Sequence, residues 1–278
     1  MRSATLEIEL KTPEQLLKMR AAGLLNAAVL DRLREAVAPG ITTADLDDLA
    51  EKLIRDGGAV PSFKGYFGYP ASLCTSVNDQ IVHAIPARDQ VLREGDLISV
   101  DCGSILDGWH ADSAITVPVG QVRPELTRMT AAAEEALWAG IEAAARGLLS
   151  GRGRLTDISA AIERSVRANP RRYGIVRGYG GHGIGSEMHQ DPHIHNFGRA
   201  GKGPNLVPGL ALAIEPMITL GSSLGVEQAD GWTVVTRDGS VAAHVEHTVA
   251  FFADGVLVTT AADGGASRLP ADLLTSAA

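Results

Sequence analysis

Cysteine is almost missing from these 278 residues: Cys74 and Cys102 are the only two. Two thiols cannot make a disulfide framework or a thiolate-rich structural zinc site, so a cross-linked secreted scaffold is excluded and a reducing compartment is the default. Long apolar runs are missing as well. None approaches the ~18 residues of a membrane span, and the opening MRSATLEIELKTPEQ has no apolar signal core, so a cytoplasmic protein is expected, with no membrane partner. Positive charge is scarce, with 25 Lys and Arg against 33 Asp and Glu and a formal net charge of −8. That balance disfavours nucleic-acid binding as the main function, because phosphate neutralisation needs clustered cations. The one basic cluster, Arg164, Arg167, Arg171, Arg172 and Arg177, reads as a solvated helix face and loop. Aromatic residues make up only 4% of the chain, which sets apart the stretch holding Phe63, Tyr66, Phe67 and Tyr69. No linker-like segment interrupts the sequence, so residues 1–278 are expected to form a single catalytic domain with a core of about 12–260 and a loosely attached tail over 265–278.

What is present is strongly patterned. Thr12 and Pro13 open a helical period through Leu17, Ala21, Leu24, Leu25, Ala28 and Leu33 that ends at Pro39 and Gly40. A second helix, about Thr43–Asp56, stops at Gly57 and Gly58. Residues 72–86 alternate as a strand pair around Asn78 and Asp79, and Asp107-Gly108 marks a hairpin between LISVDCG and ADSAITVPV. Pro124–Leu148 is a third long helix, and Thr156 is expected to cap a fourth that runs to about Ala168. A shift of 112 residues lays DLDDLAEKLIR on DISAAIERSVR, which suggests that the second half repeats the first. The glycines around His182 predict a strand running into a flexible loop with φ > 0.

Chemistry collects in the β-rich segments. Asp101, Asp112, Glu215 and Glu246 are carboxylates inside apolar runs, where an acid is costly unless it is paired or bound to metal. On the predicted hairpin Asp101 and Asp112 are direct or diagonal neighbours, so a cation is required between them. Two Asp, two Glu and His182 carry four negative charges, which two divalent ions balance. Mixed carboxylate and imidazole donors suit Mn²⁺, Fe²⁺, Co²⁺ or Zn²⁺, and two such ions about 3.5–4 Å apart activate a shared water for hydrolysis. Taken singly, each acid could equally be a cap, turn or surface group.

The motif series HAIP at His83, VDCG at Asp101, HADSA at Asp112, GHGIG at His182, MHQDP at His189, IEPM at Glu215 and VEHT at Glu246 resembles the type I methionine aminopeptidases. The resemblance spans roughly residues 12–260 in order. It implies the α+β pita-bread fold: a central antiparallel sheet with two pseudo-symmetric helix pairs on its outer face. It also implies a hydrolase that removes the initiator methionine from nascent polypeptides, at the ribosome and as a monomer, when the second residue is small. By the same resemblance Asp101, Asp112, His182, Glu215 and Glu246 hold the two metals, with Asp112 and Glu246 shared between them. His83 and His189 contact substrate, His189 stabilises the tetrahedral oxyanion, and Glu215 relays the proton to the leaving nitrogen. Tyr66, Tyr69, Cys74, Met188 and Trp232 surround the first side chain, with Phe63 at the rim. Met188 replaces the Phe common in type I enzymes, and Phe63 replaces a frequent Cys. Two further readings stand beside this one: a binding protein that kept the fold and lost the chemistry, and a prolidase-like peptidase. The retained ligand set speaks against the first, and the short stretch before His83 against the second.

Overall fold

A computed structural model describes residues 7–277. Helix α1, Pro13–Ala36, begins with a reciprocal cap: the Gln15 N–H donates to Thr12 Oγ1 (3.3 Å) and the Thr12 N–H donates to Gln15 Oε1 (2.8 Å). Helix α2, Thr43–Asp56, repeats the device with Thr42 and Asp45. Helices α3, Pro124–Leu149, and α4, Leu155–Arg167, form the second pair. Helices α2 and α4 start at Thr43 and Leu155, which preserves the 112-residue offset, and α1 and α3 start at Pro13 and Pro124, one residue short of it. Thr156 is not the cap of α4. Its hydroxyl donates to Lys202 O and accepts from Lys202 N–H, tying the helix to the next loop, while Asp157 Oδ2 accepts the Arg154 N–H.

Among the described residues the strands form four antiparallel ladders. In the first, strands Leu97–Leu106 and Trp109–Pro118 form a ten-residue hairpin, closed by Asp107 (φ 49°) and Gly108 (φ 81°) as a two-residue turn whose twist matches its strands. Strand Leu73–Val77 lines the far side of Leu97–Leu106. The second ladder runs 255–258, 247–252, 211–214, 181–183, 190–194. The anticipated strand pair over 72–86 separates: its turn forms, but Gln80–Val82 pairs with Val234–Thr236 instead of with Leu73–Val77. Partner choice of this kind depends on which distant edge is available, which local alternation does not specify.

The two main ladders join at one seam. Glu246 N–H donates to Ala114 O (2.9 Å) and Ala114 N–H to Glu246 O (3.3 Å). Thr248 Oγ1 then donates to Asp112 O (2.7 Å) and accepts the Asp112 N–H (3.2 Å). Helices α1 and α2 cover the first ladder, burying Leu30, Leu33, Leu46 and Ile54 against Leu73, Ile98 and Val100. Helices α3 and α4 cover the second, with Met129, Ile141, Ile158 and Ile162 against Leu212, Val249 and Phe251. Each such side chain contributes roughly 1.5–3 kcal/mol relative to exposure. Residues 265–277 are not a loose tail. Leu269 and Leu273 are buried in the second core, and Thr275 N–H donates to Val256 O (3.0 Å). Among the described residues no helix is long and apolar enough to cross a membrane.

Candidate metal centre and substrate cavity

Sheet register alone brings the acids together. Asp101 lies opposite Ala114, which lies opposite Glu246 across the seam. Asp112 lies opposite Gly103 and meets Thr248, and Thr248 pairs with Ala213, which pairs with His182. The two rows are two residues apart along each strand, so their side chains share one face. Glu215 follows Ala213 by two residues and is fixed where Pro216 interrupts the strand between Ile214 and Met217. Asp101 and Asp112 are therefore diagonal neighbours, as the hairpin predicted.

His182 lies on a short strand, Gly181–Gly183, and not in a left-handed loop. Its glycines serve close approach: a Cβ on Gly181 would sit 2.2 Å from Ala213 O, and one on Gly183 2.2 Å from Asp191 O. The Nδ1–H of His182 donates to Gly183 O (2.9 Å), since a carbonyl only accepts. That fixes the tautomer and turns an unprotonated Nε2 toward Glu215 Oε1, 3.8 Å away. Burial pushes the His182 pKa down to about 3, so the ring is a neutral donor at pH 7.

All four acids are buried. Burial pushes the Asp101 pKa up to about 6 and raises Asp112, Glu215 and Glu246 well above the usual carboxylate range, with repulsion among the acids adding at Asp112 and Glu246. Among the described residues Asp101 Oδ1, Asp112 Oδ1 and Glu246 Oε1 have no hydrogen-bond partner, and no Lys or Arg lines the cavity. Ligand atoms of Asp112, His182 and Glu246 lie within 4.8 Å of one another. Orphaned, convergent carboxylate oxygens beside an imidazole lone pair fit divalent cations. A second set within the same limit is Glu215, His244 and Glu246, and His244 is a residue the sequence reading missed. Its Nε2 lies 3.3 Å from Glu215 Oε2 and 4.0 Å from Glu246 Oε2. Its position two residues before Glu246, hence on the same strand face, was the available signal.

The acids form one end of a cavity of roughly 530 Å³, mouth included. The other end is apolar: Phe63, Tyr69, Cys74 and Met188 are buried, with Tyr66 and Trp232 completing the wall. Tyr69 and Trp232 meet edge to face at 5.0 Å, and the Tyr69 hydroxyl is held by Leu73 O (2.9 Å) and Ala84 O (3.1 Å). His83, whose backbone sits at φ 60°, stands edge to face with Tyr179 (5.7 Å) and Trp232 (6.5 Å). Burial, then the charges of His244 and His189, push its pKa down to about 4. His189 Nδ1 is 2.9 Å from the Tyr66 hydroxyl, and its ring lies 4.4 Å from that of His182. Every site residue picked from sequence thus lines one cavity. Tyr179, which brackets His83, was not picked, and an isolated Tyr in a glycine loop carries no sequence signal.

The model of metallopeptidase family M24 matches residues 17–259. Methionine aminopeptidase 1 of Mycobacterium tuberculosis is 52% identical over 246 residues, covering 87% of this chain and 91% of that protein. The crystal structure of methionine aminopeptidase from Rickettsia prowazekii superposes with a TM-score of 0.87 at 38% identity, covering 92% of this chain and 100% of the other. A prolidase from Pyrococcus furiosus, at 19% identity and a TM-score of 0.70 with 65% of its length covered, shares the fold alone. The helix pairs and the antiparallel ladders between them are the α+β pita-bread architecture of these neighbours. With a family model over most of its length and close relatives over nearly all of it, this chain belongs to metallopeptidase family M24, among the methionine aminopeptidases.

Proposed function

We propose that the chain removes the N-terminal methionine of nascent polypeptides whose second residue is small, using two divalent ions held by Asp101, Asp112, His182, Glu215 and Glu246, with Asp112 and Glu246 serving both. The observation that carries this reading is the junction, in one cavity, of an unpaired carboxylate and imidazole set with a pocket of rings and sulfur. When bound, the ions lower the pKa of a water and polarise the scissile carbonyl. The protein's own groups do the rest. Tyr69, Cys74, Met188 and Trp232 enclose the first side chain, with Tyr66 and Phe63 at the rim. An unbranched thioether suits them, because sulfur to ring contacts are worth ~0.3–1.5 kcal/mol. Glu215, buried at the acidic end of the cavity, relays a proton to the leaving nitrogen. His189, oriented by Tyr66, donates to the oxyanion, and His83 contacts the substrate backbone.

Mn²⁺, Fe²⁺, Co²⁺ and Zn²⁺ all fit this donor set. We place the protein in the cytoplasm, acting as a monomer on polypeptide N-termini emerging at the ribosome and binding no nucleic acid of its own. Two unpaired cysteines and the net charge of −8 support that placement. The test is turnover of Met-Ala-Ser, Leu-Ala-Ser and Met-Phe-Ser by chelated protein with each metal returned separately. Cleavage of Met-Ala-Ser alone is expected, and equal cleavage of all three refutes the pocket assignment.

A further inference from the structure

The cavity mouth continues into a groove that the reaction itself does not use. Its near part is lined by Gly178, Tyr179 and His193 and its far part by Arg177 and Phe197, and the His195 ring bridges the two through its contacts with His193 and Phe197. The rings along it meet in series, the first pair edge to face and the second tilted. His193 to His195 is 4.7 Å between centroids, His195 to Phe197 is 5.6 Å, and the Arg177 guanidinium lies 5.6 Å over Phe197. Alternation along the strand explains this, since 193 and 195 share the exposed face while Pro192 and Ile194 are buried. The groove ends in a concavity of about 620 Å³ lined by Arg167, Arg172 and Arg177 beside Glu163 and Phe197.

Charge changes sign along this path. Near the mouth stand the exposed Asp191 and Glu227, and the charge of Glu227 adds to burial in raising the Tyr179 pKa. At the far end Glu163 pairs with Arg167 at 3.0 Å, but among the described residues Arg172 and Arg177 have no carboxylate partner. Two arginines without a carboxylate partner in one concavity, Arg177 over the Phe197 ring and Arg172 beside it, form a local anion-binding surface in a protein of net charge −8.

We propose that this groove is a distal subsite for the substrate polypeptide, favouring acidic side chains about five to eight residues beyond the cleaved bond. The inference rests on the aminopeptidase reading above. The ring series gives the span: an extended chain advances ~3.3–3.6 Å per residue, so the path from His193 to Arg177 takes about five residues past those at the mouth. Backbone and apolar side chains lie along the histidine and phenylalanine faces, and carboxylates reach the arginine forks. Near neutral pH in ~0.15 M salt the Debye length is about 8 Å, so remote negative charges of the protein are screened while contacts with Arg172 and Arg177 persist.

The experiment compares kcat/KM of metal-loaded enzyme on Met-Ala-Gly-Gly-Gly-Asp-Glu-Asp-Glu-Gly, on the same peptide with Ser-Gln-Ser-Gln at positions 6 to 9, and on Met-Ala-Ser. The acidic peptide is expected to be favoured about three- to tenfold over its neutral twin, mainly through KM. The preference should vanish in the double variant Arg172→Ser, Arg177→Ser and reverse in Arg177→Glu, with Met-Ala-Ser turned over equally by all three proteins. Equal values for the two long peptides with Met-Ala-Ser still cleaved overturn the subsite and leave the catalytic reading intact. An arginine-dependent binding of an RNA oligonucleotide without any peptide preference overturns it too. Failure of loaded wild type to cleave Met-Ala-Ser refutes the catalytic reading and the subsite with it.

Discussion

Replacing His189 by alanine tests the division of labour inside the cavity. The ring lies beside His182 at 4.4 Å, yet it belongs to neither ligand triplet. Its Nδ1 is 2.9 Å from the Tyr66 hydroxyl, and partial burial lowers its pKa, so the ring is neutral near pH 7. In a neutral imidazole one nitrogen donates and the other accepts. If the Tyr66 O–H donates to Nδ1, then Nε2 carries the proton and can donate to an oxyanion. Removing one such donor typically costs about 2.7–4 kcal/mol of barrier, hence a loss in kcat of about 10²- to 10³-fold for His189→Ala. Tyr66→Phe keeps the ring wall but releases the tautomer. One hydrogen bond is worth about 0.5–1.5 kcal/mol net, so kcat should fall roughly two- to tenfold. In the double variant the Tyr66→Phe effect should disappear, because the hydroxyl acts through His189. The assay is initial rate on Met-Ala-Ser with metal content measured on the same samples by mass spectrometry. A His189→Ala protein with intact kcat and only a raised KM, or one that has lost its metals, refutes this reasoning.

Asp112→Asn is expected to abolish turnover and to lower bound metal by at least one equivalent, since in the proposed centre this carboxylate would serve both ions; full activity with two ions per chain would remove Asp112 from the centre. Trp232→Ala opens the wall that Tyr69 meets at 5.0 Å and should erode the Met over Leu preference by ~1–3 kcal/mol, read as the ratio of kcat/KM values. Burial raises Asp112, Glu215 and Glu246 in the metal-free fold, so that fold binds protons which the unfolded chain has already released. Its stability is therefore present below the unfolded carboxylate range and falls as pH rises through the elevated values, a loss that metal loading removes. The gain in Tm on adding Mn²⁺ to chelated protein should grow between pH 5.5 and pH 8, and a gain that shrinks over that interval contradicts the assignment.

The sequence by itself determined the elements whose causes are local. Thr12 with Gln15 and Thr42 with Asp45 cap their helices through neighbours three residues away, and Asp107-Gly108 closes its hairpin through backbone angles that few other pairs tolerate. That hairpin, with its period of two, was enough to make Asp101 and Asp112 direct or diagonal neighbours and to require a cation between them, and the register made them diagonal. The family resemblance carried by the motif order then picked the further residues that line the same cavity. Tertiary structure decided what depends on distant partners. Gln80–Val82 left its sequence neighbour for Val234–Thr236, and Thr156 bonded Lys202 instead of capping its helix. The glycines beside His182 proved to be there for backbone contact with Ala213 and Asp191, and the segment after 265 packed because the second core had room for Leu269 and Leu273. His244 entered the site only when strands from opposite halves of the chain met at the Ala114–Glu246 seam, and Tyr179 came to its edge only by meeting the distant His83 ring. A side chain's chemistry is written in its own residue, but its partners are set by register between segments more than a hundred positions apart, and no local pattern encodes that.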